Sequence, residues 1–363
     1  MSLVRIAVLW SLIAGGCTTD ELVVGETDQA VKSQPGEDPG CPPWACGSNS
    51  PKIDFNLFHE LNEYNLSNAE GWRITDFRTL VGANWTSYRA DVRNGELLAR
   101  SLSTGAIVYS GAALAGSVFT LDHLGKTYYL TVQRVGRMSL WAKAAGRIGV
   151  TLTYQLTWST VLAAGTIGAN LCGANTEADG MADFYAVLFD DDRIDADAIR
   201  VTGETANWFN IGCAGHALAK QDLTGNTKAA AAILGVPTPT LNQRTANLKM
   251  LSADYCGGGD PFTVAGTPLR WKDALGRFDT TEVLLTHIEA RWNETGAVCL
   301  NTPRVDYSWT LLGWQTFPNG VEPLLTTGAG WCTGANGTHV RPPPCTNPNQ
   351  NDFQGAYLIS VNP

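Results

Sequence analysis

Charged residues are scarce in this chain, and the basic ones form no run. Charged side chains make up 16% of the 363 residues, and 25 lysines and arginines stand against 34 aspartates and glutamates, for a net charge of −9. Proteins that neutralise nucleic-acid phosphates need clustered lysines and arginines, so nucleic acid is excluded as an expected partner. A small charged fraction is more typical of a secreted β-rich protein than of a helical cytosolic one.

Apolar runs long enough to cross a membrane are also missing. The N-terminal run Ile6–Ala14 has nine residues, and a helix of that length spans about 14 Å, roughly half of a bilayer core. The stretches Ser101–Leu121 and Ile148–Thr176 carry no charge, but both are too polar for a span. The first reads as short strands and turns, and the second contains a strand. We therefore expect no transmembrane helix.

Motifs that identify a reaction are absent as well. The sequence contains no G-x-S-x-G, no H-E-x-x-H, no P-loop and no complete dinucleotide fingerprint, and each of these places the reactive groups of a large enzyme class. We expect no cofactor and no resident metal. The sequence favours a protein that is not an enzyme, without excluding catalysis.

The N-terminus carries the clearest signal in the chain. A weakly positive head, Met1–Arg5, precedes the apolar run, and Gly15-Gly16-Cys17 follows it. This order is typical of a bacterial secretion signal and resembles a lipobox. It predicts a signal peptide over residues 1–16 and a lipid on Cys17, through which the chain is attached to a membrane. Ordinary cleavage at the same bond, giving a soluble secreted protein, is the alternative.

Two further features concern the cell envelope. Thr18, rather than aspartate, follows Cys17, and in Gram-negative lipoproteins this favours the outer membrane. Residues 17–52 are acidic and poor in apolar side chains. Such a segment cannot bury enough surface to fold alone, so we predict a flexible acidic tether.

Cysteine usage indicates an oxidising compartment. Besides Cys17, eight cysteines remain, an even number that predicts up to four disulfides with open pairing. They are Cys41, Cys46, Cys172, Cys213, Cys256, Cys299, Cys332 and Cys345. Two pairings look local along the chain, Cys41 with Cys46 and Cys332 with Cys345.

The remaining chain divides into two regions. Residues 53–190 are predicted to be β-rich and antiparallel, because apolar and polar side chains alternate in segments such as Val150–Trp158. Residues 191–363 mix β patterns with short helices. The predicted strands of the first region are Leu97–Leu102, Ser117–Leu121, Thr127–Arg134, Val150–Trp158 and Phe184–Phe189. The predicted helices of the second are Ile211–Lys220, Thr227–Leu234 and Leu241–Leu251, and a hairpin joins Leu284–Trp292 to Ala297–Leu300. The expected fold is a β-rich α+β class, an antiparallel β region followed by a disulfide-stapled α+β domain.

A segment in the second region resembles a known family. Ala253-Asp254-Tyr255-Cys256, followed by three glycines, is similar to the signature of the ADYC domain, found in bacterial secreted proteins and lipoproteins, notably of myxobacteria. Flanking similarities extend the resemblance over about residues 205–305. The family brings no catalytic residues to carry over. The residue types of the signature favour a structural role. Asp254 can accept hydrogen bonds from backbone N–H groups, and Tyr255 combines an apolar ring with one polar hydroxyl. Cys256 can form a disulfide, and the glycines permit positive φ.

Three groups of residues are candidates for chemistry. Cys213 and His216 have C-x2-H spacing and would share the face of a helix, as zinc ligands with Cys256 and His287 or as a nucleophile with its base. An oxidised, even set of cysteines argues against both.

The strand pattern of Leu284–Trp292 places His287, Glu289 and Arg291 on one face. An acid–base pair beside a cationic anchor fits catalysis, and a solvated strand face with a local ion pair is the simpler interpretation.

The third group is acidic. Asp190, Asp191 and Asp192, with Asp195 and Asp197, suggest calcium, but the segment fails the EF-hand pattern because Ile194 and Asp195 occupy a ligand and the glycine position. We therefore predict a surface acidic turn.

Together these features predict a lipid-anchored envelope protein that binds a protein or a glycan without catalysis. Twelve tryptophans include possible sugar-stacking platforms, although most tryptophans of β-rich proteins lie in the core. The alternative function is a secreted hydrolase of envelope polymers that uses the face of His287, Glu289 and Arg291.

Overall fold

The computed structural model describes most of the chain beyond residue 52. The described residues are 53, 58–144, 147–162, 168–172, 185–262, 269–278, 288–303, 332–333, 339–340, 342–349 and 351–361. The predicted signal peptide and tether lie outside them. Among the described residues, no helix is both long and apolar enough to cross a membrane.

Strands dominate the described residues. The strands are β1 (Glu60–Asn62), β2 (Trp72–Val81), β3 (Asn84–Arg93), β4 (Glu96–Arg100), β5 (Ile107–Ser110), β6 (Val118–His123), β7 (Lys126–Ala144), β8 (Arg147–Ser159), β9 (Ala169–Asn170), β10 (Ala186–Asp195), β11 (Arg200–Cys213), β12 (Arg270–Asp273), β13 (Ile288–Asn293), β14 (Gly296–Leu300), β15 (Cys332–Thr333), β16 (His339–Val340) and β17 (Leu358–Val361). The helices are α1 (Ala217–Leu223), α2 (Lys228–Leu234) and α3 (Leu241–Ser252), and a 3-10 turn covers Gly111–Leu114. The β-rich α+β class is confirmed.

One large antiparallel sheet contains the strands from β1 to β11. Its order is β1-β11-β10-β8-β7-β6-β2-β3-β4-β5, with β9 beside β8. The sheet curls, so that strands distant in this order meet. The N–H of Asn94 donates to Oδ1 of Asp190 (3.0 Å), and the N–H of Leu97 donates to the hydroxyl of Tyr154 (2.8 Å). Residue 190, where the sequence suggests a regional boundary, lies inside β10 of this sheet.

A bulge in β2 keeps its apolar side chains on the inner face of the curl. Trp72 and Ile74 are buried, the pairing with β6 shifts between Ile74 and Asp76, and Phe77 is again buried. An extra residue changes the phase of a strand's two-residue alternation. Around the turn that joins β2 to β3, Leu80, Val81 and Trp85 are exposed.

A second core lies outside the curled sheet. Strand β10 faces both cores, because Leu188 packs in the inner one and Val187 and Phe189 pack in the outer one. The three helices and a small sheet complete the outer core. The order of that sheet is β12-β17-β13-β14, so the last described strand of the chain lies between β12 and β13.

Local signals explain two of the helices. Thr227 caps α2 by accepting from the N–H of Ala230, and Thr240 forms a capping box with Gln243 at the start of α3, which satisfies N–H groups that lack intrahelical partners. The predicted helices Thr227–Leu234 and Leu241–Leu251 are confirmed.

The predicted helix Ile211–Lys220 is wrong in its first half. Strand β11 continues to Cys213, and the N–H of Ile211 donates to the carbonyl of His59 (2.8 Å). Gly215 then adopts a φ of +86°, and α1 begins only at Ala217. Cys213 and His216 therefore do not share a helix face.

Candidate functional site

Three disulfides staple the described chain. They join Cys172 to Cys213, Cys256 to Cys332, and Cys299 to Cys345, across 41, 76 and 46 residues. The predicted local pairing of Cys332 with Cys345 is wrong, because each is paired with a cysteine distant in sequence. Cys17, Cys41 and Cys46 lie outside the described residues.

The disulfides bear directly on the Cys213–His216 hypothesis. Cys213 is bonded to Cys172 and Cys256 to Cys332, so neither offers the thiolate that a nucleophile or a zinc ligand requires. His216 is buried at the N-cap of α1. In the described part of the chain, no group of three or more histidine, cysteine, aspartate or glutamate side chains is arranged to hold a metal ion.

The signature Ala253–Cys256 ends α3 and starts a tight turn. Ala253 is in the left-handed conformation (φ +56°). Oδ2 of Asp254 accepts from Nζ of Lys249 (2.8 Å) and from the N–H of Gly259 (2.9 Å). Lys249 also donates to the carbonyls of Ala198 and Gly257 (3.0 Å each). Both charged groups are buried, and a buried ion pair with this many hydrogen bonds fixes the path of the turn.

The glycines that follow the signature are not equivalent. Gly257 and Gly259 have φ angles of +72° and +96°. A Cβ on Gly257 would lie 2.0 Å from the carbonyl oxygen of Thr295, and one on Gly259 would lie 1.9 Å from that of Asp197. Gly258 has open space. Two of the three glycines are therefore needed for close backbone approach as well as for positive φ.

Tyr255 connects the turn to the hairpin of β13 and β14. Its ring stacks on Trp292 with centroids 5.1 Å apart, and its hydroxyl donates to Oε1 of Glu289 (2.5 Å). Its carbonyl accepts from the N–H of Ala297 (3.0 Å). The signature residues thus bond to the elements around them, which agrees with the architectural interpretation.

The strand face with Glu289 and Arg291 is buried rather than solvated. Both side chains are 0% exposed. Arg291 donates to three backbone carbonyls of the C-terminal segment, those of Asn347 (2.9 Å), Asn349 (3.0 Å) and Asp352 (2.9 Å). That segment lies over the strand face, which no local pattern reveals. His287 lies outside the described residues.

The predicted surface acidic turn is wrong for its first three aspartates, although Asp197 is exposed in the turn that follows β10. Asp190, Asp191 and Asp192 belong to β10 and are buried. Asp192 forms an ion pair with Arg244 of α3, and Asp191 forms one with Lys228 of α2. These carboxylates attach the helices to the large sheet, and Arg244 itself is almost fully buried.

Burial shifts the protonation of this acidic row. It raises the pKa of Asp192 to about 7, against the lowering influence of Arg244. Burial likewise raises the pKa of Asp222 to about 7, although Thr227 donates a hydrogen bond to it. Desolvation disfavours the charged form of a carboxyl group, so both groups titrate near neutral pH in the folded protein.

A second buried charged cluster lies at the start of the large sheet. Arg93 contacts Glu63 (3.2 Å) and Asp91 (3.0 Å), and Arg100 pairs with Asp91. Burial, together with the neighbouring Asp91, raises the pKa of Glu63 to about 8, and Arg93 and Arg89 act in the opposite direction.

The exposed aromatic residues are concentrated elsewhere. Among the described tryptophans, two are exposed, Trp85 (45%) and Trp158 (36%). The buried ones are Trp72, Trp141, Trp208, Trp271 and Trp292. Most described tryptophans thus serve the cores, as expected from composition, and Trp85 stands out because it lies on the hairpin of β2 and β3.

Five side chains of this hairpin and the preceding loop form what we call the aromatic–arginine face: Tyr64, Arg78, Leu80, Trp85 and Arg89. The guanidinium of Arg78 lies over the ring of Trp85, 5.2 Å from its centroid, and that of Arg89 lies over Tyr64 at 4.6 Å. Leu80 is paired with Trp85 across the hairpin. In a strand pair, directly opposed side chains lie on the same face.

Local geometry holds this face in position. Val81 pairs with Asn84, leaving a two-residue turn in which Gly82 has a φ of +62°, as such hairpin loops require. Tyr64 follows β1, and its N–H donates to Oδ1 of Asn62 (2.7 Å). Trp85 is thus attached to a strand, and Tyr64 lies in the loop between β1 and β2, two residues after β1.

A family model for the ADYC domain matches residues 111–306, which is more than half of the 363 residues. The chain belongs to the ADYC domain family. No curated protein and no solved structure matches the chain.

The ADYC domain begins earlier than the region of the resemblance and includes strands β6 to β14 with all three described helices. The acidic row, the signature turn and Glu289 therefore all belong to it. Two of its supports come from beyond residue 306: β17 lies between β12 and β13, and Cys345 is bonded to Cys299.

The aromatic–arginine face lies before the ADYC domain, and the sequence interpretation missed it. A usable signal was present. Two β-like segments flank the short Gly82-Ala83 turn, and alternate positions carry Arg78 and Leu80 on one strand and Trp85 and Arg89 on the other. Exposed aromatic and basic side chains at alternate positions of a hairpin indicate a binding surface.

Proposed function

We propose that this protein is a non-catalytic binding module of the cell envelope, which binds an envelope protein or glycan. One observation carries the proposal. The polar groups of the ADYC signature region are buried and bonded to the protein itself, whereas Tyr64, Leu80 and Trp85 of the aromatic–arginine face are exposed. Buried polar groups that are bonded internally, beside exposed aromatic and basic side chains, favour binding over catalysis.

The hydrolase alternative receives no support from the described residues. Glu289 and Arg291 are completely buried, and Arg291 is bonded to backbone carbonyls. A general acid or base must reach a proton of the substrate. Reaching Arg291 would require displacing the backbone at Asn347, Asn349 and Asp352.

The protein is held at the outer membrane through a lipid on Cys17, with the acidic tether 17–52 as spacer. The order of a positive head, an apolar run and Gly-Gly-Cys supports this location. Three disulfides in the described chain support an oxidising compartment. A lipoprotein with more than one acyl chain is anchored stably.

The location is tested by the intact mass of the protein from its native membrane fraction. We expect a chain that starts at Cys17 and carries acyl mass, and we expect a Cys17→Ser variant to lose the membrane fraction. A wild-type chain without acyl mass would contradict the anchor and leave a soluble secreted protein.

Binding and catalysis are separated by co-sedimentation with insoluble envelope polymers. The mature chain is mixed with the washed envelope fraction of its own cells, and both the pellet and the soluble products are measured. We expect the chain in the pellet and no release of soluble sugars or peptides over buffer alone. Release of fragments would favour the hydrolase, and a chain that stays in the supernatant would reject the binding module.

A further inference from the structure

We infer that the aromatic–arginine face binds an anionic polysaccharide whose sugars carry carboxylate or phosphate groups. The inference rests on the proposed function and narrows it to one ligand class. It uses a surface outside the ADYC domain, between residues 64 and 89.

The two arginines are cations without carboxylate partners. Arg78 and Arg89 form no ion pair within the described residues, and their buried Nε atoms have no hydrogen-bond partner there. Arg89 lies near enough to Glu63 to lower the pKa of that carboxyl group, without contacting it as an ion pair. In a chain with a net charge of −9, two guanidinium groups on one face that contact no carboxylate as an ion pair are complementary to an anionic ligand.

Stacking prepares both guanidinium groups for such a ligand. Each lies over an aromatic ring, Arg78 over Trp85 and Arg89 over Tyr64. A guanidinium that is already stacked loses little further conformational entropy when a ligand binds. Its coplanar N–H donors match the geometry of carboxylate and phosphate oxygens. The rings themselves are 45% and 50% exposed, which leaves apolar surface for the C–H face of a sugar ring.

The shape of the face favours a narrow, extended ligand over a folded protein. Arg78 is paired with Ser87, and Arg89 lies two residues further along β3, so the two cations are separated by about 7 Å along the strand. The face consists of five side chains, two from β2, two from β3 and one from the loop after β1. A stable protein interface takes about 20–30 residues on each partner, whereas five side chains suit a narrow polysaccharide chain.

Two acidic residues share this face, and one of them provides an internal test, because Asp91 is buried and paired with Arg93 and Arg100. Asp76 lies on β2 two residues before Arg78, so its side chain points to the same side of the sheet. A nearby carboxylate repels an anionic ligand, and its removal should strengthen binding.

The experiment measures the affinity of the mature chain for polygalacturonate by isothermal titration calorimetry. Methyl-esterified polygalacturonate serves as the uncharged probe with the same backbone, and polyglutamate serves as the anionic peptide probe. The variants are Trp85→Ala, the double variant Arg78→Gln/Arg89→Gln, and Asp76→Asn. The matched controls are Trp158→Ala, another exposed tryptophan, and Arg200→Gln, another exposed arginine. Circular dichroism verifies that each variant is folded.

We expect polygalacturonate to bind more tightly than either other probe. The Trp85 and double-arginine variants should bind it at least about ten-fold more weakly, the effect of losing one contact of moderate strength. Asp76→Asn should bind more tightly, and the two controls should match the wild type.

Four outcomes would overturn the inference. The wild type does not bind polygalacturonate, it binds the esterified probe equally well, it binds polyglutamate as tightly as polygalacturonate, or the variants bind like the wild type. Each leaves the proposed function standing if the wild type still sediments with the envelope fraction. Absence of sedimentation rejects the proposed function itself.

Discussion

Tyr255 and Glu289 meet in the outer core, where the phenol hydroxyl donates a hydrogen bond of 2.5 Å to the carboxylate. The two residues are 34 positions apart, one in the turn after α3 and the other in β13. This bond, together with the stack of Tyr255 on Trp292, attaches the family signature to the small sheet. The signature tyrosine is therefore a packing residue with a polar end in the interior.

Removing this hydroxyl tests that role. Tyr255→Phe keeps the ring and its stack but takes one donor away from a buried carboxylate, so we expect the free energy of unfolding to fall by about 1–3 kcal/mol. Urea unfolding of the oxidised chain measures the change. Tyr64→Phe, at an exposed position, is the control and should leave the midpoint unchanged. Equal stability of the two variants would show that the hydrogen bond from Tyr255 to Glu289 does not stabilise the fold.

The signature glycines give a sharper comparison, because neighbouring positions differ. Gly257→Ala and Gly259→Ala each place a Cβ within 2.0 Å of a backbone oxygen at positive φ. We expect each to cost more than about 2 kcal/mol, since left-handed strain alone costs an alanine about 1–2 kcal/mol. Gly258→Ala meets no atom within 4 Å and should be nearly neutral. Thermal unfolding ranks the three, and a Gly258→Ala variant as unstable as its neighbours would contradict this geometry.

Arg244 contacts two carboxylates, the buried Asp192 and the more exposed Glu204, so the two contacts test how burial affects the strength of an ion pair. Asp192→Ala leaves a guanidinium buried without that partner, which costs about 3–5 kcal/mol in comparable cases. Glu204 contacts the same guanidinium, but its side chain is 42% exposed, and removing an exposed partner costs about 1 kcal/mol or less. Urea unfolding of Asp192→Ala and Glu204→Ala should separate the two clearly. Equal losses would mean that burial does not set the strength of these contacts.

Local patterns predicted much of this fold. The alternation in Val150–Trp158 predicted β8, and the turn at residues 293–296 predicted the hairpin of β13 and β14, because both patterns are complete within a few residues. The even number of cysteines beyond Cys17 predicted disulfides, because a count of residues requires no knowledge of the fold. The family resemblance also came from a short contiguous motif.

What failed depends on contacts between distant segments. The acidic row was assigned to the surface because charge favours water, but its partner Arg244 is 52 residues from Asp192. Arg291 is covered by carbonyls 56 to 61 residues away. Sequence patterns assign a face to solvent or core only by its own polarity. They cannot show that a later segment brings the compensating groups.

The last prediction concerns pH and follows from Glu63. Burial raises the pKa of this carboxyl group from 4.5 to about 8, so between those values the folded protein holds a proton that the unfolded chain has released. Folding then takes up a proton, and the free energy of unfolding falls as pH rises, by up to about 1.4 kcal/mol per pH unit for one full proton. The buried Asp190, Asp192 and Asp222 also have raised pKa values and act with the same sign.

Urea unfolding at pH 5, 6, 7 and 8 measures this dependence. The wild type should be most stable at the acidic end of the series, opposite to a protein held by salt-bridged carboxylates of lowered pKa. Glu63→Gln imitates the protonated form and should flatten the decline without abolishing it, because the buried aspartates still contribute. Glu70→Gln, at an exposed position, should leave the wild-type slope unchanged. A wild type whose stability rises from pH 5 to pH 8 would show that Glu63 is charged in the folded protein and that Arg93, 3.2 Å away, outweighs its burial.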